Sequence, residues 1–329
     1  MNADTFTALL AVERPDAWLK AVEEGLERTL TSTNSYLVEP GLRVIRGGGK
    51  RLRPILTVAA SMVDGESTWR DDIIRGAIAV ELVHVGSLVH DDIMDNASER
   101  RGVPTVNAIE GPNHAVIVGD YLLARSGVEA ATISKEVAQV LAQTIADLCD
   151  GQSLESGDIF NVGRTEDAWL RSIRGKTAAL MRASCRIGAL SARLPPDHVD
   201  ALSQFGESFG MAFQVIDDVL DIVSTSSAMG KPVGNDIREG VYTLPVIHAM
   251  EGSDAGLRTQ LGARITDPEL LGELLDIVRS AGGVERAIAL AHHYNDEAAA
   301  ALQPLAQGSV AKGLAKLPDA YLEWALGRS

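Results

Sequence analysis

The sequence predicts an all-α protein, on three observations. Apolar residues recur at three- and four-residue spacing, which is the period of a helix face. Alternating apolar and polar runs between turn pairs, which would indicate strands, are absent. Aromatic residues make up only 4% of the 329 residues, which fits helices better than a sheet sandwich. We therefore expect helices throughout the chain and no sheet.

Two apolar stripes illustrate the helical period. The stripes are Ile78, Leu82, Val85 and Val89, and later Leu270, Leu271, Leu274, Leu275 and Val278. Breakers rich in Gly, Pro, Ser and Asn separate the predicted helices; they lie at 47–49 (before a helix opened near Pro54), 101–104, 111–112, 195–196 and 224–240. No breaker resembles an interdomain linker, and no fixed-period repeat is present. We therefore expect residues 1–329 to form a single all-helical domain.

Composition narrows the function classes. Thirty Lys and Arg against 45 Asp and Glu give a formal charge of −15, which argues against nucleic acid as a partner. Two cysteines are too few for a disulfide framework and fit a reducing compartment. The N-terminus lacks the design of a secretory leader, and the most apolar stretch, 76–89, is too short to span a bilayer. We expect a cytoplasmic protein without a stable membrane anchor.

One pattern of carboxylates occurs twice, as D-D-I-M-D at 91–95 and D-D-V-L-D at 217–221. On a helix, the first and last carboxylates of each copy lie one turn apart on one face, where like charges repel. A single Asp pair is ordinarily a solvated face, but two copies in apolar sequence favour a bound cation. Carboxylate-only ligation suits Mg²⁺, which completes its shell with water and substrate phosphates. Two such clusters facing one cavity would hold a diphosphate.

Cations stand at positions that suit phosphate binding. The segment G-K-R-L-R-P at 49–54 combines a glycine, three cations and a helix start. It is not a Walker A loop, because Arg51 stands where Ser or Thr is needed. Further cations are Arg100, Arg101, Lys176 and Lys231. Together with the two carboxylate clusters, they indicate two diphosphates to neutralise.

These segments carry a specific resemblance: the chain resembles the trans-isoprenyl diphosphate synthases of the polyprenyl synthetase family. The matching segments follow the family order: G-G-K-R-L-R-P at 48–54, E-L-V-H at 81–84, S-L-V-H-D-D-I-M-D at 87–95, R-R-G-V-P-T at 100–105, G-D-Y-L-L at 119–123, K-T at 176–177, F-Q-V-I-D-D-V-L-D at 213–221, G-K-P at 230–232 and T-L-P at 243–245. The resemblance implies an isoprenoid-synthase-type bundle of antiparallel helices around a deep central cavity, usually in a homodimer. It also implies Mg²⁺-dependent head-to-tail condensation of isopentenyl diphosphate onto an allylic diphosphate.

The resemblance further implies a role for each matched residue. Metal binding would fall to Asp91, Asp92, Asp95, Asp217, Asp218 and Asp221. Isopentenyl diphosphate would be held by Gly49, Lys50, Arg53, His84 and Arg101, and the allylic diphosphate by Arg100, Lys176 and Lys231. Thr177 and Gln214 would line the reacting carbons, with Lys176 beside them.

General chemistry agrees with these roles. Ionisation of an allylic diphosphate separates a delocalised cation from a highly charged leaving group, and fixed cations stabilise that charge. Gln214 shares the helix face of Asp217 and Asp218, so its amide oxygen could face the cation. His84 lies two turns before Asp91 and is either a phosphate donor or a structural histidine.

One position departs from the family pattern. Val241 follows Gly240, where the family usually carries Lys, so one phosphate-facing cation is missing. Lys231 or Arg238 are the candidates to compensate for it.

Small residues beside the first aspartate cluster bear on product length. One helical sector contains Ser87, Gly86, Val83, Ala79 and Gly76, none of which is large. No bulky side chain that would form a floor, and so stop a growing prenyl chain, occurs for about three turns, ~16 Å, along this sector. In this family the growing chain descends beside this helix, so we expect a product longer than geranylgeranyl, hexaprenyl to nonaprenyl. The alternative is that these residues only allow close helix packing.

Several other functions stay open at this point. The chain is alternatively a farnesyl or geranylgeranyl diphosphate synthase, or a partner-dependent subunit of a heteromeric synthase. A class I terpene cyclase would leave the 50–53 cations unexplained, and a metal phosphohydrolase would leave the second cluster idle. Turnover that requires isopentenyl diphosphate separates the synthase from the last two.

Overall fold

A computed structural model describes residues 1–65, 70–224, 233–252, 255–305 and 308–327. It confirms the all-helical prediction. The helices are α1 (Ala3–Leu9), α2 (Pro15–Thr29), α3 (Ser35–Arg46), α4 (Leu52–Ala60), α5 (Arg70–Met94), α6 (Val106–Glu110), α7 (Pro112–Ile133), α8 (Lys135–Gly157), α9 (Glu166–Ile173), α10 (Ala179–Ser191), α11 (Pro196–Val223), α12 (Asn235–Glu239), α13 (Leu244–Gly252), α14 (Ala255–Leu261), α15 (Pro268–Ser280), α16 (Gly283–Ala301) and α17 (Ser309–Leu326). A π-helix, Arg174–Ala178, joins α9 to α10, and a short 3₁₀ turn spans Gln303–Leu305.

The chain divides into two compact units. Unit 1 comprises Met1–Ile145, Leu180–Ser203 and Leu302–Leu314, and unit 2 comprises Ala146–Ala179, Gln204–Ala301 and Ala315–Ser329. The first carboxylate cluster belongs to unit 1 and the second to unit 2. That residues 1–329 act as one domain stays a prediction.

Helix α5 is the central element of unit 1. It packs against α7, α4 and α2, and most of its length is buried. Within the described ranges it is also the one helix long and apolar enough to cross a membrane, with a mean hydropathy of 1.4 over 18 residues. However, 67% of that window is buried inside the protein, as in the core helix of a soluble protein. The apolar sequence is therefore explained by core packing.

Two glycines allow the neighbours of α5 to approach closely. A Cβ on Gly76 would lie 2.8 Å from Ile187 of α10, and one on Gly86 would lie 3.2 Å from the carbonyl of Gly119 in α7. Both distances are at or below the limit of ordinary Cβ contacts. At these positions a larger side chain would push the helices apart, which costs about 1–3 kcal/mol in a packed core.

A small hairpin corrects the expectation that no strands form. Strands β1 (Glu99–Arg100) and β2 (Val103–Pro104) pair antiparallel and are the only strands in the described part of the chain. Arg101 and Gly102 connect them, both with positive φ, 54° and 75°. Two left-handed residues in a two-residue loop match the twist of a hairpin. The sequence indicated a turn at 101–104. It gave no sign of the strands, because strands of two residues are too short to show an alternating apolar and polar pattern.

In unit 2, α13 packs against α16. A Cβ on Gly283 would lie 2.3 Å from the carbonyl of Pro245, so α16 crosses α13 at a glycine. An aromatic cluster packs between α11 and α17, in which Phe213 stacks on Tyr321 with ring centroids 4.8 Å apart. The second carboxylate cluster, at 217–221, follows Phe213 in sequence and lies at the C-terminal end of α11.

Candidate active site

The loop before α4 and the hairpin meet in unit 1. Arg101 donates a hydrogen bond to the carbonyl of Gly48. Gly49 has φ +154°, and a Cβ there would lie 2.5 Å from the Arg101 guanidinium. The positive φ of Gly49 favours glycine, and the absent side chain leaves room for the Arg101 guanidinium. The predicted isopentenyl diphosphate residues Gly49 and Arg101 are thus neighbours, and Lys50 is exposed next to them.

A buried arginine anchors the same loop. Arg51 has a left-handed backbone, φ 49°, and is the N-cap residue immediately before α4. Its guanidinium contacts Glu23 of α2 at 2.5 Å and Glu81 of α5 at 2.8 Å, and it donates to the carbonyl of Ile45 at 2.8 Å. The side chains of Arg51 and Glu81 are only 6% and 3% exposed. Arg51 therefore holds the loop to two helices, while Lys50 and Arg53 on either side of it remain at least partly exposed.

His84 lies within a field of positive charge. Its pKa is lowered well below the ordinary value, first by burial and then by nearby guanidinium groups. The groups that act on it are those of Arg53, Arg101, Arg100 and Arg51. His84 is therefore neutral at physiological pH and, as a neutral imidazole, can donate one hydrogen bond. The structure thus brings four arginines into electrostatic reach of one histidine in a chain with a net charge of −15.

The first carboxylate cluster ends α5 beside this basic group. Asp91 is partly exposed, Asp95 is exposed, and Asp92 is buried. The guanidinium of Arg100, on β1, contacts Asp92 at 2.6 Å. Burial raises the pKa of Asp92, and the bond to Arg100 opposes that shift. Arg100 is therefore tied to the cluster, with about a third of its side chain exposed.

The cluster suits a hard divalent cation. Across the described residues, no three His, Cys, Asp or Glu side chains converge to form a metal centre from protein ligands alone. Mg²⁺ does not require one, because it is held by one or two carboxylates with water and substrate phosphates. Asp91 and Asp95 offer oxygen ligands on the more accessible side of the cluster, and the donor set contains no thiolate or thioether. The residues therefore fit Mg²⁺.

In the second cluster, the three carboxylates have different surroundings. Asp217 is exposed, and the hydroxyl of Tyr321 donates to it at 3.4 Å. Asp221 is buried and accepts from the backbone N–H of Asp236 at 3.3 Å. Asp218 is buried, and burial raises its pKa well above the ordinary value. Among the three, Asp217 is therefore the carboxylate most accessible to a ligand.

A π-helix carries the predicted residues Lys176 and Thr177. The π-helix packs against α8 at Gly151. A Cβ on Gly151 would lie 2.3 Å from the backbone nitrogen of Lys176. The Lys176 ammonium contacts Glu155 of α8 at 2.5 Å. Thr177 donates to the amide oxygen of Gln214 at 2.7 Å, so these two side chains are in direct contact. Single π-turns of this kind often occur at functional sites.

The structure does not test which residue compensates for the cation that is missing at Val241. Lys231 lies outside the described residues. Val241 is partly exposed and Arg238 lies exposed on α12. Compensation for the missing cation by either Lys231 or Arg238 therefore stays a prediction.

The product-length argument changes at the glycines. Gly86 and Gly76 face tight helix contacts, so the packing interpretation replaces the open-space interpretation there. Ser87 is partly exposed, and its hydroxyl donates to the carbonyl of His84 at 2.9 Å, while Val83 is buried. The roles of Ser87 and Val83 in product length stay predictions.

Several residues of the site carry no sequence signal of their own. Glu155, Trp169 and Tyr321 contact predicted site residues, yet the sequence marks each of them only as an ordinary helix or core residue. Arg164 is similar: its side chain is 1% exposed, and it donates to the carbonyl of Tyr242 and to the hydroxyl of Ser172.

Comparison with known proteins decides the family. The family model described as polyprenyl synthetase matches residues 34–278. The chain belongs to the polyprenyl synthetase family. The chain is 39% identical over 283 residues to heptaprenyl diphosphate synthase component 2 of Geobacillus stearothermophilus. The matched region covers 85% of this chain and 87% of the relative.

Solved structures agree. A decaprenyl diphosphate synthase from Rhodobacter capsulatus has a TM-score of 0.88 and 32% identity, covering 98% of this chain and 99% of its own. A polyprenyl synthase from Caulobacter crescentus, complexed with calcium and isoprenyl diphosphate, has a TM-score of 0.88 and 29% identity, covering 100% and 98%. The polyprenyl synthetase therefore has the fold of these enzymes and is a prenyltransferase. Short-chain and geranylgeranyl synthases also match, so likeness alone does not select a product length.

Proposed function

We propose that this prenyltransferase condenses isopentenyl diphosphate head-to-tail with an allylic diphosphate, with Mg²⁺, to give an all-trans product longer than geranylgeranyl. The observation that carries the proposal is the basic group around His84. Arg51 and Arg100 of this group are paired with carboxylates, and Arg53 and Arg101 add positive charge that attracts an anionic ligand. A diphosphate supplies that charge and accepts several hydrogen bonds.

The basic group of unit 1 has the chemistry of an isopentenyl diphosphate site. Lys50, Arg53 and Arg101 supply charge, and neutral His84 supplies a donor. Gly49 has no side chain, which keeps the loop close to Arg101. These groups would hold isopentenyl diphosphate while its alkene attacks C1 of the allylic substrate, and the released diphosphate would accept the proton that is then lost.

The allylic diphosphate is assigned to Arg100, Lys176 and Lys231 with the carboxylate clusters. Asp91, Asp95 and Asp217 are the most accessible carboxylates for Mg²⁺, and Asp92, Asp218 and Asp221 support them from buried positions. Mg²⁺, when bound there, would stabilise the negative charge that develops on the diphosphate as it leaves. Thr177 and Gln214 are assigned to the reacting carbons. The calcium and isoprenyl diphosphate of the Caulobacter crescentus structure support a divalent cation in this role.

A product longer than geranylgeranyl is supported by the names of the relatives. Heptaprenyl and decaprenyl synthases are among the similar proteins. In this chain, the partly exposed small residue Ser87 precedes Asp91 by one turn, with no bulky side chain at that position. A geranylgeranyl or farnesyl product remains the second candidate.

Product mass spectrometry tests the proposal. The purified chain is incubated with isopentenyl diphosphate, farnesyl diphosphate and Mg²⁺, with chelator in a parallel sample. We expect a ladder of products that extends beyond twenty carbons and that chelator abolishes. A ladder that stops at geranylgeranyl would refute the long product and keep the synthase. Absence of product with every allylic primer would refute the chain as a self-sufficient synthase.

Self-association is the second part of the proposal. Helix α7 exposes Val116, Ile117 and Val128, which are 45%, 52% and 49% exposed. Ile117 and Val128 are eleven residues apart, which is about three turns, so they share one face. Exposed apolar side chains on one helix face become buried when that face lies in an interface. We assign it to a second copy of the chain, whereas the component name of the Geobacillus stearothermophilus relative favours a different partner subunit.

Light scattering with size exclusion tests that assignment. Wild type is expected at twice the chain mass of 34.9 kDa, and an Ile117→Asp/Val128→Asp variant at the monomer mass. Ile277→Asp on α15, also at an exposed apolar position, is the matched control and should stay dimeric. A monomeric, inactive wild type would instead support a separate partner subunit. Cytoplasmic location remains part of the proposal and is tested by cell fractionation.

A further inference from the structure

Four side chains of unit 2 form one chain of hydrogen bonds: Trp169, Asp218, Gln214 and Thr177. The indole Nε1 of Trp169 donates to Oδ2 of Asp218 at 3.0 Å. Nε2 of Gln214 donates to Oδ1 of Asp218 at 2.8 Å. Oγ1 of Thr177 donates to Oε1 of Gln214 at 2.7 Å. Trp169, Asp218 and Thr177 are 1%, 3% and 8% exposed, so the chain is largely shielded from water.

The direction of every donor in this chain follows from Asp218. An indole N–H can only donate, so Oδ2 of Asp218 accepts from Trp169. In its ionised form Asp218 also accepts at its other oxygen, and the amide NH₂ of Gln214 donates to that oxygen at 2.8 Å. The amide oxygen of Gln214 then faces Thr177, and the single hydroxyl hydrogen of Thr177 is used in that bond. What remains at Thr177 is oxygen lone pairs.

We propose that Asp218, held by Trp169, is a positioning residue that orients Gln214 and Thr177 so that they present oxygen, rather than N–H or O–H hydrogen, to the reacting carbons. The inference rests on the proposed function, in which a delocalised carbocation forms beside these residues. Fixed dipoles with the negative end toward a developing positive charge stabilise it without reorganisation. Dipoles of the reverse direction would raise the barrier.

Asp217 supplies the contrast. It is the residue before Asp218 on α11, yet its side chain is exposed, whereas each oxygen of Asp218 already accepts a hydrogen bond in a buried position. The inference therefore assigns cation binding to Asp217 and orientation to Asp218. Sequence alone gives the two residues the same role.

Substitution of each aspartate by asparagine distinguishes the two roles. In Asp218→Asn the new amide keeps its oxygen toward Trp169 and directs its NH₂ at Gln214. Gln214 must then turn its oxygen toward residue 218 and its NH₂ toward Thr177, which reverses the chain. Asp217→Asn is the matched control, with the same change one residue away and no effect on this chain.

Three measurements on the full-length chain follow. We expect Asp218→Asn to lower kcat by about 10²-fold, the size of effect seen when one fixed electrostatic contact is lost, with the KM of both substrates unchanged. Calorimetric binding of Mg²⁺ with farnesyl thiolodiphosphate, an unreactive analogue, should be unchanged in Asp218→Asn. In Asp217→Asn that binding should weaken at least about tenfold, as when a metal site is disturbed.

The third measurement needs no turnover. The ¹⁵N–¹H resonance of the Trp169 indole, identified by its loss in Trp169→Phe, should shift in Asp218→Asn and stay in place in Asp217→Asn. Equal weakening of analogue binding in both asparagine variants would overturn the inference, as would an unchanged kcat or an unchanged indole resonance in Asp218→Asn.

A second pair of variants covers the case in which Asp218→Asn does not fold. Thr177→Ser keeps the hydroxyl and should retain kcat, whereas Thr177→Val should lose it with KM unchanged. Equal loss in both would overturn the inference. If wild type makes no prenyl product from any primer, the proposed function fails, and the indole resonance still decides whether Asp218 holds Trp169.

Discussion

Replacing Gly151 with alanine is expected to displace the π-helix that carries Lys176 and Thr177. The new Cβ would lie 2.3 Å from the backbone nitrogen of Lys176 and 2.6 Å from the carbonyl oxygen of Ser172. Both are backbone atoms, so no side-chain rotation relieves the clash. Gly175, on the π-helix, is similarly restricted, since a Cβ there would lie 2.5 Å from the carbonyl oxygen of Asp147 in α8.

The expected magnitude follows from these distances. Ordinary Cβ contacts begin near 3.4 Å, so α8 and the π-helix must separate by 3.4 − 2.3 = 1.1 Å at Lys176. A misplacement of about 1 Å at a reacting group costs on the order of 10²-fold in rate. Overpacking costs about 1–3 kcal/mol, and removing a helix glycine returns about 1 kcal/mol. We therefore expect a large loss of kcat with a net loss of stability of at most about 2 kcal/mol.

Steady-state kinetics and thermal unfolding test this expectation. Gly272→Ala is the matched control, because Gly272 lies inside α15 of the same unit and a Cβ there meets nothing within 4 Å. The control should keep wild-type kcat and gain stability. If Gly151→Ala behaves like Gly272→Ala in both assays, the glycine crossing does not position the π-helix and the reasoning is refuted.

Three further perturbations test unit 1. Ser87→Phe should shorten the longest product seen by mass spectrometry, with Ser87→Ala as the control; an unchanged ladder would place the floor elsewhere. Arg51→Met leaves Glu81 buried without its partner, so chemical denaturation should show a loss of about 3–5 kcal/mol, and an unchanged midpoint would contradict a structural role for the pair. Folding lowers the pKa of His84. As pH falls below about 6.5, the unfolded chain therefore binds a proton at His84 that the folded chain does not, and the folded state loses stability. Between pH 7.5 and 5.5 the unfolding free energy of His84→Gln should therefore fall less steeply than that of wild type, by at most about 1.4 kcal/mol per pH unit; parallel slopes would show that His84 does not titrate in this way.

The fold class and the two carboxylate clusters were accessible from the sequence for a physical reason. Helical period and the i, i+4 spacing of carboxylates are local properties, which one segment displays without knowledge of its neighbours. The same holds for the G-K-R-L-R-P segment, where a glycine-rich turn and cations are contiguous. Such features need no tertiary contact to be recognised.

The partners of the site residues depend on contacts between distant segments. Arg51 meets Glu81 thirty residues away, and Asp218 meets Trp169 forty-nine residues away. No periodicity links these pairs, because the separation is set by how the helices pack. For the same reason, the sequence analysis expected open space beside Gly86, whereas Gly86 packs against the backbone of α7.

The chain sequence thus set the helices, the charges and the class of ligand, because those follow from residue type and short-range spacing. Tertiary structure decided which carboxylate is buried and which is exposed. Asp217 and Asp218 are identical and adjacent in sequence, yet a rotation of about 100° around α11 gives one of them solvent and the other an indole and an amide. Burial and partners, rather than residue type, separate the two.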